Sequence, residues 1–260
     1  AAFLNGCGRR TRLSDLHRTE ANPFSAPSSA PKLWATIFRN KGVFSPEFAP
    51  EKVLLRDAEL LSVEEVMRDL YRNSLPRHLL IVGSYGIGKT LTVRWLHQKL
   101  LKDSEPTNLR LKSIYVNCKT YDTESKILKR LLDELSDLES DVGFQASEPF
   151  AELERACKKA DWILVILDDV DNLLMRVHAA YEKILFLPSR VIPNLHYTMI
   201  TNDLDLPQWM IENIPVAIQE TLRYEIIAFP PYDATQLGLI LRDRAKLGLR
   251  PEAYDEGALS

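Results

Sequence analysis

Eight consecutive residues, Gly83, Ser84, Tyr85, Gly86, Ile87, Gly88, Lys89 and Thr90, carry the chemistry most directly read in this chain. Small residues at this spacing let successive backbone N–H groups turn into one concavity. A helix that starts after them adds its positive end, so the segment can cradle a polyphosphate. Lys89 then offers a point charge to the β- and γ-phosphates, and the Thr90 hydroxyl offers one ligand to Mg2+. Leu91 opens the apolar stripe of the following helix, which continues through Val93, Trp95, Leu96 and Leu100. A second acidic element has the form of a metal-holding partner: the apolar run Ile163 to Leu167 ends in Asp168 and Asp169. Asp168, first past the strand, suits a hard cation that prefers oxygen, and Asp169 suits a water that must be oriented or deprotonated. Asp171 reads equally well as a helix cap. Asn202, after the run Tyr197 to Thr201, can hold a water beside a γ-phosphate, although Asn-Asp-Leu-Asp before a proline is also ordinary turn chemistry.

Such groups act together only if one scaffold gathers them. Continuous apolar runs predict strands at 79–82, 113–116, 162–167, 197–201 and 225–229. Helical spacing predicts helices over 58–71, after Thr90, and over 122–138, 150–159 and 171–187, with a new helix from Asp233. Strands that alternate with helices argue an α/β fold, a parallel sheet flanked by helices. Residues 44–53 read as a proline-bracketed extended segment, and Pro230-Pro231 as a boundary. The Pro, Ser and Ala content of residues 22–31 predicts a loose linker, with folded structure beginning near Leu33.

Composition narrows the class further. A chain of 260 residues with a formal net charge of -3 builds no global field that demands nucleic acid. Its three cysteines, Cys7, Cys118 and Cys157, have neither disulfide nor zinc spacing, which points to a reducing intracellular compartment. Apolar runs stay far below the roughly 20 residues of a membrane span, so a soluble chain with no membrane partner is expected. The first residues lack a starting methionine and a signal core, and the last ten read as the opening of a helix; the expectation is a fragment.

Five ordered stretches then resemble one family. They are residues Pro50 to Glu59, Tyr115 to Thr120, Leu167 to Leu174, Ile200 to Asp205 and Phe229 to Leu237, lying around the glycine-rich turn. From about Phe38 onward the chain resembles the AAA+ ATPase module of the archaeal and eukaryotic replication initiators, the origin-recognition-complex and Cdc-type proteins. The resemblance implies an AAA+ P-loop NTPase fold that binds ATP or ADP with Mg2+. Residues 1–32 would be a disordered basic tail, 33–231 the nucleotide-binding domain and 232–260 the start of a helical lid. Val53 and Arg56 would line an adenine pocket, and Gly83 through Leu91 would hold phosphates. Thr90 and Asp168 would bind the metal, while Lys89, Asp169 and Asn202, the last as sensor 1, would serve catalysis. A solvated Arg56 at a helix start is the alternative reading of that residue. The implied partners are origin double-stranded DNA and a replicative helicase or other initiator subunits, in the cytoplasm of an archaeon or a eukaryotic nucleus.

The departures from the family pattern are specific. Asp169 stands where the family usually has glutamate, one methylene longer, and this predicts slow hydrolysis and ATP used as a switch. Residues 207–216 hold no arginine for a neighbouring subunit's nucleotide, and Arg223 lies close in sequence without an assigned role. The sensor 2 arginine and winged-helix domain expected by resemblance are not in the chain. Arg176, Lys183 and Arg190, or the basic residues Arg9 to Arg18, are candidates for phosphate contact and equally for solvated surface. Two rival readings remain at this stage: a signalling P-loop NTPase of the STAND type and an ATP-bound scaffold that never hydrolyses.

Overall fold

The computed structural model describes residues 37–45, 48–71, 78–135, 149–177 and 180–253. The expected tail 1–32, the far end of the helix expected to reach 138 and everything past 253 lie outside them. Five strands form one parallel sheet: β1 (His78–Val82), β2 (Leu111–Asn117), β3 (Trp162–Asp168), β4 (Leu195–Thr201) and β5 (Tyr224–Ala228), in spatial order β2-β3-β4-β1-β5. The three inner strands β1, β3 and β4 are mostly apolar and every one of their residues is buried, the polar His78, Asp168, His196, Thr198 and Thr201 included. The edge strands β2 and β5 are only partly covered. That is the burial expected of a parallel sheet whose centre is roofed on both faces.

Side chains alternate along each strand, so the sheet feeds two separate cores. Leu80, Val82, Val165, Leu167 and Met199 pack on one side with the helix Glu124–Leu135, whose Ile127, Leu128, Leu131, Leu132 and Leu135 form its buried stripe. Leu79, Ile81, Leu164, Ile166 and Ile200 pack on the other, under the helices Asp57–Tyr71 and Lys89–Ser104. Each such side chain contributes about 1.5–3 kcal/mol of transfer free energy. Both layers therefore clamp the sheet, and the carboxyl ends of its strands become fixed points.

Two expectations need correction. The helix expected over 171–187 is interrupted: Asp171–Leu174 is a short turn, and Tyr181–Phe186 winds as a π-helix before Leu187–Val191 closes as α-helix. The segment expected to be extended from Phe44 starts inside a 3-10 turn, Lys41–Phe44. The stretch 207–216, which holds no arginine, carries the helix Leu206–Asn213 and the start of Val216–Leu222. After β5 the chain runs without regular structure through Pro230 and Pro231 and enters the helix Ala234–Gly248. That helix starts on a reciprocal cap, in which Asp233 accepts from the Gln236 backbone N–H and Gln236 accepts from that of Asp233.

Candidate functional site

The register of the sheet brings the chemistry together. Asn117 of β2 pairs with Asp168 of β3, Asp168 with Ile200 of β4, and Val82 of β1 with Thr201, so four strands end at one level. The turn after β1 bends because Gly86 and Gly88 adopt φ of 77° and 85°, a left-handed backbone that residues with a Cβ rarely take. Gly83 is required for a different reason: a Cβ there would lie 2.6 Å from the Phe229 carbonyl oxygen. The helix Lys89–Ser104 then starts with no side-chain cap, and its first N–H groups border an open cleft. The cleft is a cavity of about 530 Å3 lined by Tyr85 through Leu91 and by Lys119, Asp168, Asp169 and Asn202.

Inside it, each polar group is held. The Lys89 ammonium, 4 % exposed, donates to the carbonyl oxygens of Gly83 at 2.8 Å and Ser84 at 2.7 Å and to Asn202 Oδ1 at 2.6 Å. Burial holds its pKa below the ordinary lysine value, against the pull of Asp168, Asp169 and Asp171. Thr90 Oγ1 lies 3.1 Å from both Asp168 oxygens, and the Tyr115 hydroxyl donates to Asp168 Oδ2 at 2.8 Å. Burial raises the Asp168 pKa although these hydroxyls oppose the rise, and burial first, then the bond to Asp168, pushes Tyr115 up to about 12. The hydrogen-bond donors on Asp168 are the hydroxyls of Thr90 and Tyr115 and the Asp169 N–H, all neutral. A buried carboxylate with only neutral donors, one of them the Thr90 hydroxyl, is an oxygen-rich setting that fits a hard divalent cation such as Mg2+.

Asp169 is treated differently. Its Oδ1 accepts from Asn202 Nδ2 at 2.6 Å, its Oδ2 pairs with Lys119 Nζ at 3.0 Å, and its backbone sits at φ 54°. Asp171 accepts from the Thr201 hydroxyl at 2.9 Å and so ties the turn after β3 to the end of β4.

Two residues expected at an adenine pocket part company. Val53 lines a second, smaller cavity of about 40 Å3 with Leu91, Tyr232 and Ile240, next to the main cleft through Gly88 and Leu91. Arg56 lies outside the lining of both cavities, 2 % exposed, which also corrects the reading of it as a solvated charge. Its guanidinium donates to the Ile87 and Pro230 carbonyls, the Tyr232 hydroxyl and Glu59, and stacks 3.9 Å from the Tyr232 ring centre. It therefore ties the glycine-rich turn to the Pro230–Tyr232 segment that follows β5. Sequence reasoning missed Tyr115 and Lys119 as site residues; the signal available was their place at the carboxyl end of β2, beside the acidic end of β3. Of the basic residues considered for phosphate contact, Lys183 is paired with Glu124 at 3.0 Å, while Arg9 to Arg18 lie outside the described residues.

Comparison with known proteins gives a consistent neighbourhood. Residues 72–199 match the AAA domain family. The chain is 29% identical over 230 residues to an ORC1-type DNA replication protein 1 of Methanosarcina acetivorans, covering 86% of this chain and 52% of that protein. It is 30% identical over 233 residues to an ORC1-type DNA replication protein of Thermococcus kodakarensis, covering 86% and 53%. The chain thus spans about half the length of the curated relatives it matches. Among solved structures, the Aeropyrum pernix ORC1 protein in complex with DNA superposes with a TM-score of 0.71 at 26% identity, over 84% of this chain and 56% of that one. Cdc6p from Pyrobaculum aerophilum gives 0.68 at 25% identity, over 86% and 58%.

Proposed function

Starting from a chain that belongs to the Orc/Cdc6 family of AAA domains, we propose that it binds ATP with Mg2+ as the switch module of a DNA replication initiator, and hydrolyses it slowly. The observation that carries the reading is the meeting of Lys89, Thr90, Asp168, Asp169 and Asn202 around one cleft. The turn Gly83 to Gly88 and the Lys89 ammonium hold the β- and γ-phosphates, and a triphosphate takes over contacts that Lys89 now gives to two carbonyls and an amide. Thr90 and Asp168 hold the metal, which when bound neutralises charge on the phosphate oxygens. Tyr115 keeps Asp168 oriented. Val53, Leu91 and Tyr232 border the base, and Arg56 acts through the hinge rather than on the nucleotide.

Hydrolysis forms a bond between a water oxygen and the γ-phosphorus while the bond to the bridging oxygen breaks. ADP leaves, and the water proton passes toward Asp169. Asn202 spans the distance between Lys89 and Asp169, so it is placed to report whether the γ-phosphate is present. The slow rate follows from the short Asp169 side chain and from its capture by two donors. That capture also favours, as a second reading, a scaffold that binds ATP without turnover.

The relatives supply the context: initiators named for replication, one solved with DNA. On that basis the partners are origin double-stranded DNA and other initiator subunits or a replicative helicase, in an intracellular compartment that holds the chromosome. The residues divide as a nucleotide-binding domain over 33–231 and a lid beginning at 232. The test is retention on origin duplex DNA with ATP against ADP. Tighter retention with ATP supports the switch, and equal retention in both states contradicts it.

A further inference from the structure

The small cavity beside the main cleft is lined on one side by Leu91 and Tyr232 and on the other by Ile240, Asp243 and Arg244. The last three, spaced three and four residues apart, share one face of the helix Ala234–Gly248. That helix is fixed at both ends: its start by the reciprocal cap of Asp233 and Gln236, its end by the N–H groups of Arg39 and Asn40, which donate to the Gly248 carbonyl at 2.8 and 3.0 Å. Side chains on the shared face therefore stand at set positions. Arg244 is the one with business unfinished there. Its guanidinium carbon lies 4.4 Å from the ring centre of Phe48, which lines the main cleft, and its Nη1 is buried and meets no acceptor among the described residues. A ring face attracts the charge, but it does not replace a lone pair for each N–H. An orphaned buried donor is costly, so folds seldom keep one without a use.

We propose that Asp243 and Arg244 select the base of the nucleotide: the Asp243 carboxylate accepts from the 6-amino group of adenine, and Arg244 Nη1 donates to a ring nitrogen beside it. Adenine presents that order, a donor on C6 next to a ring acceptor, whereas guanine sets an oxygen on C6, which a carboxylate repels. The other walls of the cavity cannot choose. Leu91 and Ile240 offer apolar surface that any base can fill, and the Tyr232 hydroxyl already accepts from Arg56 Nε at 2.9 Å. The cavity is too small for a whole purine, but Gly88 and Leu91 line it and the main cleft alike. A base lying across those two residues extends only its amino edge toward the helix. The two side chains then divide the work: Arg244 adds affinity for the base, and Asp243 decides between adenine and guanine.

The inference rests on the reading of the cleft as an ATP site, and a ligand without a base separates the two. Affinities for ATP, GTP and inorganic triphosphate, each with Mg2+, are measured by calorimetric titration for the parent chain, Arg244→Met and Asp243→Asn. A hydrogen bond from a charged donor corresponds to about 10-fold to 150-fold in affinity, so Arg244→Met should weaken ATP by that factor. Its affinity for triphosphate should stay within about twofold of the parent, because the phosphate contacts of Lys89 are not touched. The parent should prefer ATP to GTP. An amide can turn its N–H2 toward a 6-oxo group, so Asp243→Asn should narrow that preference about tenfold, again with triphosphate unchanged. ATP affinity in Arg244→Met within twofold of the parent overturns the donor, and an equal loss for ATP and triphosphate, the mark of a general defect in the helix, overturns it as well. A parent that binds GTP as tightly as ATP, or an Asp243→Asn chain that keeps the parental ratio, overturns the selection while leaving the phosphate grip intact. Failure of the parent to bind both ATP and triphosphate overturns the two readings at once.

Discussion

The two ends of the same sheet use polar groups in opposite ways. At the amino end, His78 accepts from the Tyr197 backbone N–H and meets the Ser189 hydroxyl at 2.9 Å, and Asn194 donates to the carbonyls of Cys157 and Ala160, each at 2.8 Å. Arg110 and Asp161, the residues just before β2 and β3, join the amino ends of these two strands. Each of these contacts joins one segment of the chain to another, and those of His78 and Asn194 satisfy backbone groups, the ordinary way a fold pairs its donors and acceptors. At the carboxyl end, an ammonium rests on carbonyl oxygens, one hydroxyl bridges both oxygens of a carboxylate, and two aspartates stand side by side. Those contacts are ones a phosphate and a cation can take over. The amino end holds the sheet together; the carboxyl end holds groups in readiness for a ligand.

If that contrast is right, substitutions at the two ends should separate binding from stability. The largest effect belongs to Lys89→Ala: ATP affinity should fall by roughly 30-fold to 5000-fold, the cost of removing one buried charged partner of about 2–5 kcal/mol. Its unfolding temperature without nucleotide should change little; calorimetric titration beside a melting curve tests both. Next comes acid. Burial holds His78 at about 4 and His97 at about 3, against 6.5 when unfolded. Between pH 6.5 and 4 the unfolded chain therefore takes up protons that the folded chain refuses, and stability falls as pH drops. Each histidine contributes about 1.4 kcal/mol per pH unit, which denaturant midpoints across this range will show. Asp168 works in the other direction close to the carboxylate range, since burial raises it. Asn194→Ala, a smaller change, should cost about 1–3 kcal/mol of stability for the carbonyls left unpaired, with ATP affinity as in the parent. Asp161→Asn should do least: its arginine partner is fully exposed, and the melting temperature should hardly move.

The sequence reveals the two ends unequally. The glycine turn and the inner strands are legible because their physics is local: φ near 80° favours glycine, and strands covered on both faces are mostly apolar, as in Ile163 to Leu167 of β3. Asp168 and Asn202 follow from standing just past such runs. Arg56 is not legible, since a charge among leucines reads as solvated until Pro230 and Tyr232, 174 and 176 residues away, come to meet it. The break after Leu174 is hidden because Leu173, Leu174, Ile184 and Leu185 keep feeding the core through the wider π turn, so the apolar pattern never stops. Lys119 is hidden for the opposite reason: half exposed, it looks like any surface lysine, and only the meeting of β2 with β3 sets it against Asp169.

The central claim, a triphosphate and its metal held between Thr90 and Asp168, is tested most directly by titrating ATP into the chain and into Asp168→Asn, each with and without Mg2+. The account predicts that Mg2+ strengthens ATP binding in the parent and does much less in Asp168→Asn, with both proteins folded alike. Binding that ignores Mg2+ in the parent, or an equal Mg2+ effect in both proteins, would contradict it.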